Sequence, residues 1–502
     1  MSVIGLDLGT TACKAIALNA DGKVIAYSMQ EYDVAENEKG FVELNPQDVW
    51  ESVRSVLRGV AGQTKNDPIQ AISISAMGDT VTPFDESLRP LSNSILAFDT
   101  RSQAEAEILG KQLGDEWLFN TTGMPLHAMY TACKILWLKR NSPEVFSKTK
   151  KFLCYEDYIV AKLGAVPSIS FSNAARTMIF DLKQNKWNDR ILDVLGIDES
   201  NLATPVPSGT VVGSIDKNIA CELGMPESVK IVSGSHDQTC GALGAGIVSE
   251  GNILVSTGTL EILFFPFNKL TLDASLLGAN MCCYPHAYPG RYCSIGMIFT
   301  AGAAFRWFRD EFGYEDLIEA KANNEDVYDV ITSKFTEEPS EIYFIPHLSG
   351  SGTPDMNPLA TGCIYGLTLG TDKYDIAQAI LEGISYELKI NVDLMSSMGI
   401  PVNSLKCIGG GAKSKYWLQL KANMTGLKTT ACDFTDVGAI GASILAGYGI
   451  GLFKTLEEGI NLVQQPVTEY YPNPSVSKLY QSRFHKYLAL REKVNELHNT
   501  MK

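Results

Sequence analysis

The chain has 502 residues, with 42 Lys and Arg against 57 Asp and Glu, so its formal charge is −15. At roughly 100–200 residues per domain, that length predicts two to four domains with large buried cores. Hydrophobic residues at 45% and charged residues at 20% exclude a disordered chain. The acidic balance argues against wrapping a nucleic-acid polyanion, although one local site can still oppose the global charge and take a small phosphate ligand.

Eleven cysteines are scattered from Cys13 to Cys432 without a CxxC pair, which argues against a zinc ribbon or a thioredoxin-type motif. The adjacent Cys282 and Cys283 are expected to be buried thiols. The opening MSVIGLDLGT has no basic stretch followed by a long apolar one, and no run of 18 apolar residues occurs. A reduced, cytoplasmic protein with no membrane partner is the expectation.

In chain order, Val3–Leu8 reads as a strand, Gly9-Thr10-Thr11 as a tight turn and Lys14–Leu18 as the return strand. Asp21-Gly22 is a hairpin turn leading to a third strand, Val24–Gln30. Asn45 and Pro46 mark a helix entry, and Val49, Trp50, Val53, Val56 and Leu57 follow at helical spacing. Ile69–Ser75 is a buried strand. Strands followed by alternating helix and strand predict an α/β protein. A second unit begins near residue 245. It opens with Asn252–Phe265, another strand, Gly-Thr turn and strand. Such a hairpin is common, but two of them about 250 residues apart suggest two related domains, 1–245 and 246–502. Strands and helices alternate again from Ile342 to Ala446. The tail Ser475–Lys502 reads as an amphipathic helix with Leu479, Tyr480, Phe484, Tyr487, Leu488, Val494 and Leu497 on one side.

Three segments carry candidate chemistry. Gly5–Thr11 ends in a Gly and Thr turn whose backbone N–H groups and hydroxyls suit an anion, and it carries Asp7 in an otherwise apolar strand. A carboxylate there needs a partner, and hydrated Mg²⁺ is one candidate. Lys14, just past the turn, could reach a phosphate. The segment is neither a Walker A loop nor a dinucleotide fingerprint, and a plain hairpin with a capped Asp is the bland alternative. Gly234–Gln238 follows an apolar strand and precedes a small-residue helix, so Asp237 sits where a general base could stand. A lone His beside a buried loop is more often structural, and His236 is read so. Gly409–Ser414, after strand Leu405–Ile408 and before a helix, has a nucleotide-contact layout without the closing Gly-Lys of a P-loop.

Together, two phosphate-type turns, an Asp between them and a late glycine turn resemble the actin-like ATPases, in which ATP lies between two domains. Met129–Asn141 then resembles the first signature of the FGGY carbohydrate kinases. Gly362–Leu367 with Asp375-Ile376 and Ala379–Glu382 resembles the second. Ser172–Thr177 with Phe180-Asp181 and Lys186-Trp187, and Ala301–Asp310, are similar to further family segments. The resemblance runs from about Ile4 to Phe453.

This resemblance implies two actin-like (ribonuclease H-like) α/β domains with an ATP and sugar cleft between them. It implies transfer of the ATP γ-phosphoryl group to a hydroxyl of a sugar, polyol or sugar acid. Asp237 matches the family's catalytic base, and Asp7 the carboxylate that holds Mg²⁺ through water. Thr10, Thr11 and Lys14 match the first phosphate hairpin, and Gly258 and Thr259 the second. Gly302, Arg306, Gly410, Gly411 and Lys415 match nucleotide contacts. Met77, Gly78, Asp79, Asp99, Asp237 and Gln238 fall at the sugar. Relatives also make a homodimer possible.

The sugar segment Ser75–Thr80 departs from the family pattern. Xylulose kinases usually carry Gln-Met-His-Gly there and glycerol kinases Gln-Arg-Glu-Thr. Aligned through Asp85, this chain has Gly78 in place of Met or Arg and Asp79 in place of His or Glu. A carboxylate at 79 can accept from two hydroxyls and would repel an anionic aldonate. Ala97 replaces the usual Trp of the Ile95–Arg101 run, which predicts a roomier pocket. Asp99 is read either as a sugar contact or as the anchor of Arg101. A neutral ketopentose such as xylulose is the expected substrate, with other ketoses, polyols and aldonates as alternatives. An actin-like or chaperone-like ATPase and an inactive sugar sensor are the readings from other classes.

Overall fold

The computed structural model describes residues 1–37, 40–432, 436–464 and 466–500. Five strands form the body of the six-stranded first sheet: β1 (Ser2–Leu8), β2 (Ala12–Asn19), β3 (Val24–Glu31), β4 (Ile69–Ala76) and β5 (Lys230–His236). The first three run antiparallel, while β4 pairs parallel to β1 and β5 parallel to β4. The order is β5-β4-β1-β2-β3, with Val211–Ser214 on the β5 edge. The second sheet repeats this plan with β6 (Gly251–Thr257), β7 (Glu261–Phe267), β8 (Tyr292–Ile298), β9 (Val402–Gly409) and β10 (Lys428–Ala431). Here β8-β7-β6 is the antiparallel part, and β9 and β10 follow in parallel. The likeness of the two hairpins thus extends to two whole sheets of the same strand order, the expected actin-like architecture.

Seven helices position the site: α1 (Pro46–Gln63), α2 (Asp237–Gly244), α3 (Gly302–Phe312), α4 (Lys373–Ser397), α5 (Lys415–Thr425), α6 (Val437–Gly449) and α7 (Pro474–Thr500). Asn45 caps α1 by accepting from the Gln47 N–H, and Pro46 takes the first turn, where its missing N–H is harmless. All five predicted apolar positions of α1 are buried against the first sheet. The tail helix corrects the expectation. Tyr480, Phe484, Tyr487 and Val494 are buried, but Leu479, Leu488 and Leu497 are exposed. At 100° per residue, the buried residues recur three, four or seven apart along one line, and the three leucines flank it.

The halves meet at two helices. α2 leaves the end of β5, and α6, from the second half, lies against α2, β1 and β4. Small residues permit this: a Cβ on Gly441 would stand 2.0 Å from the Cys240 carbonyl oxygen, and one on Gly244 2.2 Å from that of Val437. A small core of Val3, Ile16, Leu18, Cys240, Leu243, Ile444 and Leu445 fills the joint.

Candidate active site

β1 is buried along its length except at Asp7, which faces Lys14 in the hairpin register. Ser75 of the neighbouring β4 donates to Asp7 Oδ1 at 2.6 Å. Burial pushes the Asp7 carboxyl above its usual range, and the Ser75 bond and the Lys14 charge offset this in part. Lys14 itself is engaged elsewhere. Its Nζ donates to Asp436 Oδ1 at 2.7 Å, joining residues 422 apart and tying the first hairpin to the start of α6. Among the described residues, the Thr10 and Thr11 hydroxyls make no side-chain hydrogen bond, and Thr11 is exposed.

Asp237 is the first residue of α2, where the chain leaves β5. Its Oδ1 accepts from the Gln238 N–H at 2.6 Å. The side chain keeps 30% of its surface exposed. Loss of hydration in the cleft pushes its carboxyl up to about 7, and the negative Asp7 adds to the rise. Asp7, Asp79 and Arg176 all act on the Asp237 charge, so the predicted carboxylates do converge. Gln238 is half-buried beside Asp237, and His236 stands behind it.

The sugar segment is arranged differently from expectation. Met77 is buried in the first core. Asp79 is 4% exposed, sits at φ 60°, and pairs through Oδ2 with Arg176 Nη2 at 2.6 Å. Lys134 holds the strained loop by donating to the backbone carbonyls of Asp79 and, at 2.7 Å, Met129. Asp79 therefore has one occupied oxygen, and only Oδ1 lacks a partner. Its charge is balanced by Arg176, which weakens the expected repulsion of an aldonate. Of the two readings of Asp99, the anchor is what the structure contains. Its oxygens accept from the Val42 N–H and from the Arg101 N–H, Nε and Nη2 at 2.6–2.9 Å. The Arg101 guanidinium in turn lies 3.8 Å from the Phe41 ring centre. Both carboxylate oxygens are occupied, which leaves Asp99 little capacity to accept from a sugar hydroxyl.

The second hairpin opens onto a cavity of about 310 Å³ lined by Gly258, Thr259, Gly302, Arg306, Gly410 and Gly411, six of the predicted nucleotide residues. Gly302 must be glycine there, because a Cβ would stand 2.3 Å from the Gly258 carbonyl oxygen. Gly302 donates to that oxygen at 3.0 Å, and Ala301 and Ala303 to the Thr259 carbonyl at 3.1 Å, so the phosphate-type turn is fastened to the start of α3. Lys415, the first residue of α5, is exposed and is not in the lining. Lys413 and Ser414, just before it, are in the lining. Phe305, Tyr328 and Trp417 supply aromatic wall and Asp326 and Asp329 carboxylates, none of them assigned from sequence. Arg176 was also missed, although a lone Arg among the small residues of Ser172–Thr177 was a visible signal.

No group of three His, Cys, Asp or Glu among the described residues could hold a metal ion by itself. A divalent ion still fits here, because Mg²⁺-type ions are commonly held by one or two carboxylates together with substrate phosphates and water. Asp7, with one oxygen free of hydrogen bonds from the described residues, could supply such a ligand.

The comparisons agree with this geometry. The N-terminal domain model of the FGGY family of carbohydrate kinases matches residues 2–244, and the C-terminal domain model residues 254–450. The chain is 28% identical over 502 residues to the xylulose kinase of Bacillus subtilis, covering 100% of this chain and 98% of that one. The ligand-bound xylulose kinase of Lactobacillus acidophilus superposes with a TM-score of 0.91 at 25% identity, covering 100% of both chains. A gluconate kinase from the same organism superposes equally well, with a TM-score of 0.91 at 25% identity over 100% of this chain and 99% of that one. Both family models match in order, one on each half of the chain. This chain belongs to the FGGY family of carbohydrate kinases, ATP-dependent phosphotransferases that act on a sugar hydroxyl.

Proposed function

We propose that the protein transfers the γ-phosphoryl group of ATP to a hydroxyl of a neutral ketopentose of the xylulose type. The observation that carries this reading is Asp237, a partly exposed carboxylate at a helix start, raised to about 7 and facing Asp7. A carboxylate near neutrality both exists as a base and binds a proton well enough to take it from an attacking hydroxyl. ATP would lie with its base and ribose in the Phe305, Tyr328 and Trp417 cavity and its phosphates against Gly258, Thr259, Gly410 and Gly411. Thr10 and Thr11 would meet the phosphates from the first half. Asp7 would hold Mg²⁺ through water, and that ion supplies charge neutralisation for the transferring phosphoryl group. Arg176 and Asp79 would form the inner wall of the sugar pocket, with Asp79 Oδ1 as the acceptor still open. Closure of the halves around the substrates would exclude water and limit wasteful hydrolysis of ATP.

Xylulose kinases among both the sequence relatives and the structural neighbours support the ketopentose. An aldonate acceptor is the second reading, favoured by the buried Arg176 charge and by the gluconate kinase neighbour. ADP release across neutral ketoses, polyols and aldonates separates the two. Turnover confined to neutral sugars supports the first reading, and strong turnover of an aldonate overturns it. Asp237→Asn should lower turnover by about 10²–10⁴-fold while nucleotide binding persists, and near-normal turnover would remove Asp237 from the role of base.

A further inference from the structure

The proposed reaction gives no part to His236, the residue just before Asp237. Its ring is buried, 5% exposed, at the end of β5. Nε2 stands 3.1 Å from Asp237 Oδ1, and Nδ1 lies 3.0 Å from the Tyr284 hydroxyl. Tyr284 is fully buried and comes from the other half, on a short strand, Tyr284–Pro285, that pairs with β8 at the edge of the second sheet. Burial and the nearby Arg176 charge hold His236 neutral, and burial keeps the Tyr284 phenol protonated. A phenol that donates to Nδ1 leaves the ring proton on Nε2, on the side of Asp237.

Position 78 points the same way. A Cβ on Gly78 would stand 2.8 Å from His236 Cδ2 and 3.0 Å from Nε2. The imidazole therefore fills the space in which a side chain at 78 would begin. A glycine at 78, where related patterns carry Met or Arg, therefore leaves room for the His236 ring.

We propose that His236 is a positioning residue that keeps its protonated Nε2 edge packed against the base Asp237, 3.1 Å from Oδ1, that Tyr284 sets its tautomer from across the two halves, and that Gly78 is the room this arrangement needs. The inference rests on Asp237 being the base. It makes the alignment of the base depend on the approach of the second half, because the group that fixes the tautomer is carried there.

The test uses the full-length enzyme with the best sugar from the panel, ATP and Mg²⁺. Tyr284→Phe keeps the ring and removes the hydroxyl, so the His236 proton is free to move to Nδ1 and present a lone pair to the carboxylate. It should lower kcat by about tenfold with the KM for ATP unchanged. It should also move the acid limb of kcat/KM up by about half a pH unit or more, since a lone pair disfavours the ionised carboxylate. The other charges acting on Asp237, namely Asp7, Arg176 and Asp79, are the same in wild type and variant. His236→Gln, which can offer an amide N–H near the place of Nε2, should recover most of the turnover that His236→Ala loses. Wild-type kcat and an unmoved acid limb in Tyr284→Phe, or a Gln variant no better than the Ala variant, would overturn the proposal. Asp237→Asn run alongside separates the two levels: if it alone is inactive, the base stands and the positioning fails, and if it stays active the base assignment itself has failed.

Discussion

Lys421 and Glu261 form a fully buried ion pair beside the nucleotide cavity, with side chains 1% and 0% exposed. Thr257, which lines that cavity, ties them together. Its hydroxyl donates to Glu261 Oε2 at 2.6 Å and accepts from Lys421 Nζ at 3.0 Å. Lys421→Met keeps much of the side-chain length and removes the charge. Glu261 is then left with one hydroxyl donor, and its Oε1 already lacks a partner. Stranding one member of a buried pair costs about 3–5 kcal/mol, because an ionised carboxylate stays desolvated without its counter-charge. At about 2–4 °C per kcal/mol for a domain of this size, the unfolding transition of the second half should fall by about 6–20 °C. The double variant Lys421→Met with Glu261→Gln removes both charges and should recover at least about 2 kcal/mol of that loss. Calorimetric unfolding of wild type, both single variants and the double variant completes the cycle, and nucleotide titration reports on Thr257. The single variant should weaken nucleotide binding and the double variant restore part of it. A fall below about 2 °C in Lys421→Met, or a double variant no better than that single, would refute the reasoning, since the pair would then not be coupled.

Three further outcomes follow from the geometry. Because Asp237 must be ionised to accept a proton and its carboxyl is raised to about 7, kcat/KM should climb with pH to a plateau, with a midpoint at or below that value. A cation at Asp7 cancels a negative neighbour and moves the midpoint down, and an acid limb near pH 4 in the free enzyme would contradict the assignment. Gly441→Ala puts a Cβ 2.0 Å from the Cys240 carbonyl, so α6 must shift against α2. A loss of about 1–3 kcal/mol in thermal unfolding is expected, and no loss would show that the joint tolerates the shift. Asp99→Ala strips the buried Arg101 of its main counter-charge and should cost about 3–5 kcal/mol of stability while the sugar KM stays within about twofold of wild type. A large rise in KM in a stable variant would return Asp99 to the sugar pocket.

Elements whose pattern is local were legible without a structure. Both Gly-Thr hairpins, the capped helix after Asn45, the glycine turn after β9 and the tail helix follow from periodicity, turn chemistry and capping within a few residues. The resemblance to FGGY kinases rested on such segments taken in order, and six of the ten nucleotide positions it implied line one cavity. Which lysine of this segment faces the cavity, Lys413 or Lys415, depends on how a short turn leaves β9.

What the chain pattern alone decided, then, is the family, the two-sheet plan and the identity of the acidic groups. Tertiary structure decided which of those groups are free to act. Asp99 is occupied by Arg101 and the Val42 N–H, Asp79 is half-occupied by Arg176, and Lys14 is drawn to Asp436, 422 residues away. Among the described residues, Asp79 and Asp99 each form an ion pair with an arginine, whereas Asp7 and Asp237 form none with a lysine or arginine. A carboxylate's chemistry is set by what desolvates and neutralises it, and those neighbours arrive from distant parts of the chain. The −15 charge illustrates the same division. It argues against a polyanion-binding surface, yet the folded chain brings glycine N–H groups, hydroxyls and cationic side chains to one cavity, where they suit the phosphates of the proposed ATP.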